Sequence, residues 1–139
     1  MIKITESTID LNKILLDVRD ESAGAIDLFV GSVKECGSHG HVSILYYEVY
    51  KKMAENIMTQ IEREILEKWN IKKILIIHRI GNLKVGEVSV AIAVSSEHRS
   101  DAFEGCRYAI ENVKSRVPIW KKEITEGGDH WVEGVPLHE

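Results

Sequence analysis

Three stretches of this chain repeat their apolar residues at the 3.6-residue spacing of a helix. Each stands between segments that alternate or run apolar as strands do, so the fold must lay helices against sheet. Leu11, Ile14, Leu15 and Val18 make the first stripe. With Ser7 and Thr8 ahead of it, this helix is expected to end near Asp20, before Gly24. Met53, Ile57, Ile61 and Ile65 recur every four residues. Met58, Leu66 and Trp69 widen that stripe into a helix of about 17 residues that stops at Asn70. Ser95 and Ser96 offer N-cap hydroxyls to the third helix, whose apolar face is Ala102, Phe103, Cys106, Ala109, Ile110 and Val113 and which Pro118 closes.

The intervening segments read as strands. Ile2 to Thr5 alternates, Ala25 to Val30 runs apolar, and Val42 to Tyr50 is rich in β-branched and aromatic residues beyond a loop marked by Gly37 and Gly40. The latter two are expected to lie together as a hairpin-like pair. Ile71 to Arg79 and Glu87 to Val94 follow, with Gly81-Asn82 and Gly86 as turns between them. Ile119 to Thr125 and His130 to Glu133 form a terminal hairpin about Gly127-Gly128. The order β-α-β-β-α-β-β-α-β-β predicts one α+β domain over residues 1–139: two layers, with three helices packed on a mixed, largely antiparallel sheet and a C-terminal β-hairpin.

Composition narrows the function. Of 139 residues 44% are apolar, and 18 basic side chains nearly balance 22 acidic ones, which is not the composition of a disordered segment. The longest apolar run, Val90 to Val94, is far short of a membrane span, and the first residues lack the apolar stretch of a signal peptide, so a cytoplasmic protein is expected. A net charge of −4 argues against a general nucleic-acid coat. Cys36 and Cys106 are the only cysteines and have no Cys or His at ligand spacing, so neither a metal site nor any other cofactor is expected. Cys106 falls on the apolar face of the third helix and reads as a small buried hydrophobe, while Cys36 has no evident activating base.

Positive charge collects in one place. Lys114, Arg116, Lys121 and Lys122 lie within nine residues around Val117-Pro118-Ile119-Trp120, with no acid among them. This is a candidate anion site. The plainer alternative is that Lys114 and Arg116 complement the negative end of the third helix while the later lysines face solvent. A second candidate is Ser95-Ser96-Glu97-His98-Arg99, where a strand feeds a helix whose free N–H groups suit a phosphate and His98 and Arg99 add charged donors. The alternative there is an ordinary helix start. His78-Arg79-Ile80-Gly81 ends a strand and is a third candidate for catalysis, against which His78 reads better as a satisfied, partly buried histidine at a turn, and His39, His41 and His130 carry no pattern.

Taken together, several motifs resemble the catalytic (large) subunit family of molybdopterin synthase. They are Phe29-Val30-Gly31-Ser32-Val33-Lys34, Tyr47-Glu48-Val49-Tyr50 before Met53-Ala54, His78-Arg79-Ile80-Gly81, Ser96-Glu97-His98-Arg99 with Ala102-Phe103, and Lys114 through Pro118-Ile119-Trp120-Lys121-Lys122-Glu123. The likeness runs from Val18-Arg19-Asp20 and Ala23-Gly24-Ala25 to Trp131-Val132-Glu133. The resemblance implies a hammerhead-like α/β fold. It also implies a homodimer of large subunits within a heterotetramer, each copy binding a small ubiquitin-like sulfur-carrier subunit whose C-terminal Gly-Gly bears a thiocarboxylate. The substrate it implies is cyclic pyranopterin monophosphate, converted by sulfurtransferase chemistry to the dithiolene of molybdopterin in molybdenum cofactor biosynthesis.

Position by position, Lys114 matches the family's catalytic lysine and Lys121 its second active-site lysine. Lys34, His98 and Arg99 match basic residues of the pterin-phosphate pocket. The family usually has arginine where this chain has Lys34, which keeps the charge but loses the bidentate fork. Anionic partners explain a basic pocket on a net-acidic chain, and sulfur arriving on a carrier explains why neither cysteine is placed as a nucleophile. Clustered cations around Lys114 would favour its neutral amine. Two other classes are compatible with parts of the pattern. A non-catalytic phosphate- or nucleotide-binding module would need only the helix start at Ser96 to Arg99. An RNA-binding module would use Trp120 and its lysines and show a steep salt dependence.

Overall fold

The computed structural model describes residues 1–37 and 40–132, apart from the Cys36 side chain. His39 and Glu133, the latter the expected end of the terminal hairpin, lie outside the described residues. The elements run β1 (Ile2–Thr5), α1 (Leu11–Asp17), β2 (Ala25–Ser32), β3 (Cys36–Gly37), β4 (Gly40–Val49), α2 (Lys51–Lys68), β5 (Ile71–Arg79), β6 (Gly81–Lys84), β7 (Val88–Ser96), α3 (Arg99–Arg116), β8 (Ile119–Thr125) and β9 (Gly128–Val132).

The three helices and the α+β class are those the periodicity predicts, and the strands divide between two sheets. One is mixed, in the order β1-β5-β7-β2, with β1 parallel to β5 and the other pairs antiparallel. The other is antiparallel, in the order β3-β4-β8-β9, with β6 also paired to β4. The strand β7 is buried from Ser89 to Ser96 because helices cover both faces of its sheet. On one side Met58, Ile61 and Ile65 of α2 and Ala102, Cys106, Ala109 and Val113 of α3 close over Ile76, Ile92 and Val94. Each fully buried Ile or Met there contributes about 2 kcal/mol of transfer free energy. On the other side α1 brings Ile14 against Leu75, Ile77, Ala91 and Ala93.

Several local expectations change. The strands β2 and β4 do not form a hairpin: β2 pairs with β7, and β4 with β6 and β8. Between them the chain is pinned at Val33, whose N–H donates to the Glu87 carbonyl and whose carbonyl accepts from Gly86 N–H, so it leaves the first sheet before β4 begins. Val33 then packs with Leu45 and Leu83 beneath the second sheet. The turn-like stretch after Arg79 holds the short strand β6, with Gly81 and Gly86 at positive φ at its two ends. The helix α1 starts after Asp10, whose carboxylate accepts from the N–H groups of Asn12 and Lys13, and it ends at Asp17.

Ser95 and Ser96 do not cap α3 either. They stay buried in β7, where the Ser95 hydroxyl oxygen accepts from Lys73 N–H at a register shift and the Ser96 hydroxyl donates to the His98 carbonyl. The N-cap is His98, without a side-chain cap bond. Phe103, expected in the core, is 55% exposed.

A carboxylate clamp joins α2 to α3. Glu64 accepts two hydrogen bonds from the Arg116 guanidinium, at 2.7 and 3.0 Å, and one from the Tyr108 hydroxyl at 2.6 Å. These bonds, Arg116 first, hold the Glu64 carboxyl down at about 2. Arg116 therefore locks the last turn of α3 onto α2.

Candidate functional site

Lys114 and Lys121 flank a sharp elbow. Val117, the C-cap of α3, still donates its N–H to the Val113 carbonyl, and Pro118 then ends the helix because it has no N–H to continue the ladder. Val117 and Pro118 are fully buried, so the elbow is anchored from within. The strand β8 starts at Ile119 and pairs along β4, placing Lys121 opposite Tyr47 and Glu123 opposite Leu45. Directly opposed residues of an antiparallel pair share a face, so Tyr47, Lys121, Leu45 and Glu123 point to one side. Trp120 and Lys122, opposite Glu48 and Tyr46, point to the other.

This alternation sorts the four cations of the basic stretch. Arg116 is spent on Glu64. Lys122 sits 5.4 Å from the ring centres of both Tyr46 and Trp131 and 3.9 Å from the Asp129 carboxylate, on the face away from Lys121. Lys114 is exposed and Lys121 half-buried. The pKa of Lys121 is lowered, first by burial and then by the charges of Lys114 and Lys34, against an opposing pull from Glu123. Lys34, exposed just beyond β2, thus joins Lys114 and Lys121 in one electrostatic neighbourhood.

The walls of this neighbourhood carry His78, read from the sequence as a buried histidine, and three groups given no role there: Tyr47, Ser89 and Glu123. The Tyr47 ring meets the His78 ring edge-on, with centroids 5.2 Å apart. Burial raises the Tyr47 pKa against the opposing effect of a hydrogen bond with Ser89, whose hydroxyl donates to the Gly31 carbonyl at 3.2 Å. His78 is buried, as its sequence context suggests, and its Nδ1–H donates to the Arg79 carbonyl at 2.7 Å. Burial foremost, with the Lys114 charge adding to it, pushes His78 down to about 4, so it is neutral at pH 7. Glu123 is buried, and its carboxylate lies so close to Gly37 that a side chain there would occupy the same space. The signal for Glu123 was available in the two-residue period of β8, which ties it to the face of Lys121.

His98 and Arg99 are not brought to this cluster. Both are exposed at the N-terminal end of α3, with His98 Nε2 3.7 Å from Glu97, while Lys114 lies in its last turn. The 16 residues between His98 and Lys114 put their backbones roughly 24 Å apart along the helix axis. Cys106 faces the core, where burial, and next the charge of Asp27, push its thiol up to about 12. Among the described residues no three His, Cys, Asp or Glu side chains gather as metal ligands, and no helix is long and apolar enough to cross a membrane.

Residues 4–116 match the family model described as MoaE protein. The molybdopterin synthase catalytic subunit of Bacillus subtilis is 46% identical over 130 residues, covering 94% of this chain and 83% of that one. The subunit of the same name from Halalkalibacterium halodurans is 45% identical over 129 residues, with coverage of 93% and 83%. The crystal structure of molybdopterin synthase from Staphylococcus aureus superposes with a TM-score of 0.89 at 42% identity, over 94% of this chain and 95% of that one.

Proposed function

Because the chain belongs to the MoaE protein family of molybdopterin synthase catalytic subunits, we propose that it transfers sulfur to cyclic pyranopterin monophosphate from the C-terminal thiocarboxylate of a small ubiquitin-like carrier subunit. The observation that carries this reading is the half-buried Lys121, its pKa lowered beside Lys114 and Lys34 on the inner face of β8. A lysine whose neutral amine is accessible exchanges protons with a reacting group far better than an ordinary surface ammonium. Lys121 serves in proton transfer, Lys114 brings the exposed cation next to it, and Lys34 holds substrate phosphate.

The three cations match what must meet there: a phosphorylated pterin and the carrier's anionic tail. Each transfer breaks the carbon–sulfur bond of the carrier and one carbon–oxygen bond of the pterin side chain and makes a carbon–sulfur bond to the pterin. The displaced oxygen leaves as water or stays on the opened phosphate ester, and a water oxygen restores the carrier's carboxylate. His98 and Arg99, about 24 Å away along α3, belong to the same pocket only if a second copy of the chain supplies them. The homodimer then carries two sites, each built from both copies, and a carrier bound to each copy makes the heterotetramer.

The direct test is incubation with cyclic pyranopterin monophosphate and thiocarboxylated carrier, reading dithiolene product by conversion to a fluorescent pterin. Wild type should form product. Lys114→Ala should lose nearly all turnover while keeping its circular dichroism and carrier binding. Absence of product from folded wild-type protein, or full activity in Lys114→Ala, refutes the assignment.

A further inference from the structure

The strand β7 carries one residue too many where it passes the end of β2. Gly31 pairs with Val90 and Ser32 with Val88, so Ser89 stands between them with no opposite number on β2. A bulge of this kind re-aims a side chain and is common beside active sites. Ser89 is buried all the same, and a buried hydroxyl needs a hydrogen-bond partner. It donates to the Gly31 carbonyl at 3.2 Å and is hydrogen-bonded to the hydroxyl of Tyr47. The close approach requires a glycine at 31, because a Cβ there would lie 2.6 Å from Val90 Cγ1.

Tyr47 belongs to the other sheet. Among the described residues its strand β4 pairs with β3, β6 and β8 and with no strand of the mixed sheet. Its phenol nevertheless reaches three of them. The ring meets His78 of β5 edge-on, and the hydroxyl connects through Ser89 of β7 to Gly31 of β2. Each of these neighbours leads to one cation of the pocket. Lys121 stands directly opposite Tyr47 on β8, Lys34 follows Gly31 by three residues, and the charge of Lys114 in the last turn of α3 acts on His78. Three like charges carried on separate elements push those elements apart unless a bond between them resists it.

We propose that Tyr47 is a positioning residue of the pocket: through Ser89 to the Gly31 carbonyl, with His78 as its seat, it ties the sheet that bears Lys121 to the sheet that leads to Lys34 and carries α3, and so holds the three cations together. The inference rests on the reading of Lys34, Lys114 and Lys121 given above and adds what fixes their spacing. Lys121 reports on the tie. Lys114 of α3 and Lys34 beyond β2 act on it together with burial, Glu123 of its own strand opposes them, and Tyr47 with the neutral His78 behind it faces it from β4 and β5. Releasing the tie admits water and lets the cations separate, and both changes raise the pH at which Lys121 loses its proton.

Competitive acetylation of Lys121 across pH 7 to 11, on chains with unchanged circular dichroism, tests the tie. Tyr47→Phe keeps the ring on His78 and removes the hydroxyl. It should raise the Lys121 titration by about half a pH unit, which lowers the neutral fraction near pH 7 about threefold. Ser89→Ala should do the same, and the double variant no more than either, because both break a single run of bonds. Tyr46→Phe makes the same chemical change on the same strand, on the face of Lys122, and should leave Lys121 where it is. With pterin and carrier present, kcat of Tyr47→Phe should fall about threefold at pH 7 and recover as pH rises. An unmoved or lowered Lys121 in folded Tyr47→Phe or Ser89→Ala, additive shifts in the double variant, an equal shift in Tyr46→Phe, or a loss of kcat that is the same at every pH overturns the tie. The titration needs no substrate. Shifts as described in a chain that makes no dithiolene refute the assigned chemistry alone, and an unmoved Lys121 in a chain that makes dithiolene refutes the positioning role alone.

Discussion

Tyr47 and Lys121 stand directly opposite each other across the β4–β8 ladder, and this pairing turns Lys121 inward while its neighbour Lys122 turns out. Lys121 is thereby half-buried opposite a phenol whose ring meets a neutral buried histidine, and two further cations act on it.

Lys121 should titrate below an ordinary lysine, and the direction of change on substitution follows from its neighbours. Among the described residues Glu123 is the one group that raises its pKa. Glu123→Gln should therefore shift the titration of Lys121 to still lower pH. Competitive acetylation of Lys121 across pH 7 to 11, read by mass spectrometry, measures this. A shift upward in the glutamine variant would show that the carboxylate does not act on Lys121 in this way.

The Glu64–Arg116 clamp should appear in stability. Glu64→Ala removes hydrogen bonds to a charged partner and should cost about 2 kcal/mol at pH 7 in urea unfolding. The Glu64 carboxyl is depressed to about 2 in the folded chain, against an ordinary glutamate value of about 4.3 unfolded. Its contribution is therefore fully present above about pH 4.3 and disappears as pH falls towards 2. The gap between wild type and variant should narrow over that window, and a gap independent of pH would rule out the ionised clamp as its source.

Both cysteines should be dispensable for sulfur transfer. Cys106 is buried with its thiol raised to about 12, far from the thiolate a sulfur relay requires. A Cys36→Ser, Cys106→Ser chain should retain dithiolene formation with a stability loss of about 1–3 kcal/mol from the new buried hydroxyl. Loss of sulfur transfer in a folded double variant would contradict the carrier-borne route.

Mixing inactive variants should restore activity. In the proposed two-copy pocket Lys114→Ala and Arg99→Ala damage opposite halves, so each homodimer should be inactive. Random exchange makes half the dimers hybrid, each with one intact and one doubly damaged pocket, which returns about a quarter of wild-type sites. With exchange verified by mass-tagged chains, no recovery would mean that each pocket comes from a single copy.

Local pattern was sufficient for the helices and for the neighbourhood of the chemistry. The spacing of Ile61 and Ile65, the strand-like run of Ile74 to Ile77, and the lysines flanking Pro118 depend on residues a few positions apart, which a linear reading can see. Partner choice at long range was not visible. Ala25 to Ser32 and Gly40 to Val49 are both strand-like, but their apolar pattern does not say that one pairs with Ser96 to Val88 and the other with Ile119 to Thr125. Register is an agreement between segments far apart in the chain, and only folding enforces it. The same holds for charge. Lys114, Arg116, Lys121 and Lys122 are alike in sequence, and it is the α2–α3 clamp and the two-residue period of β8 that assign Arg116 to Glu64 and Lys122 to Tyr46 and Trp131, and leave Lys114 and Lys121 in electrostatic contact with each other. Composition and periodicity thus determined the three helices, the longer strands and where the positive charge of this protein collects. Tertiary structure decided which of those charges share a site, because burial and electrostatic coupling depend on distance in space, and the chain fixes that distance only when it folds.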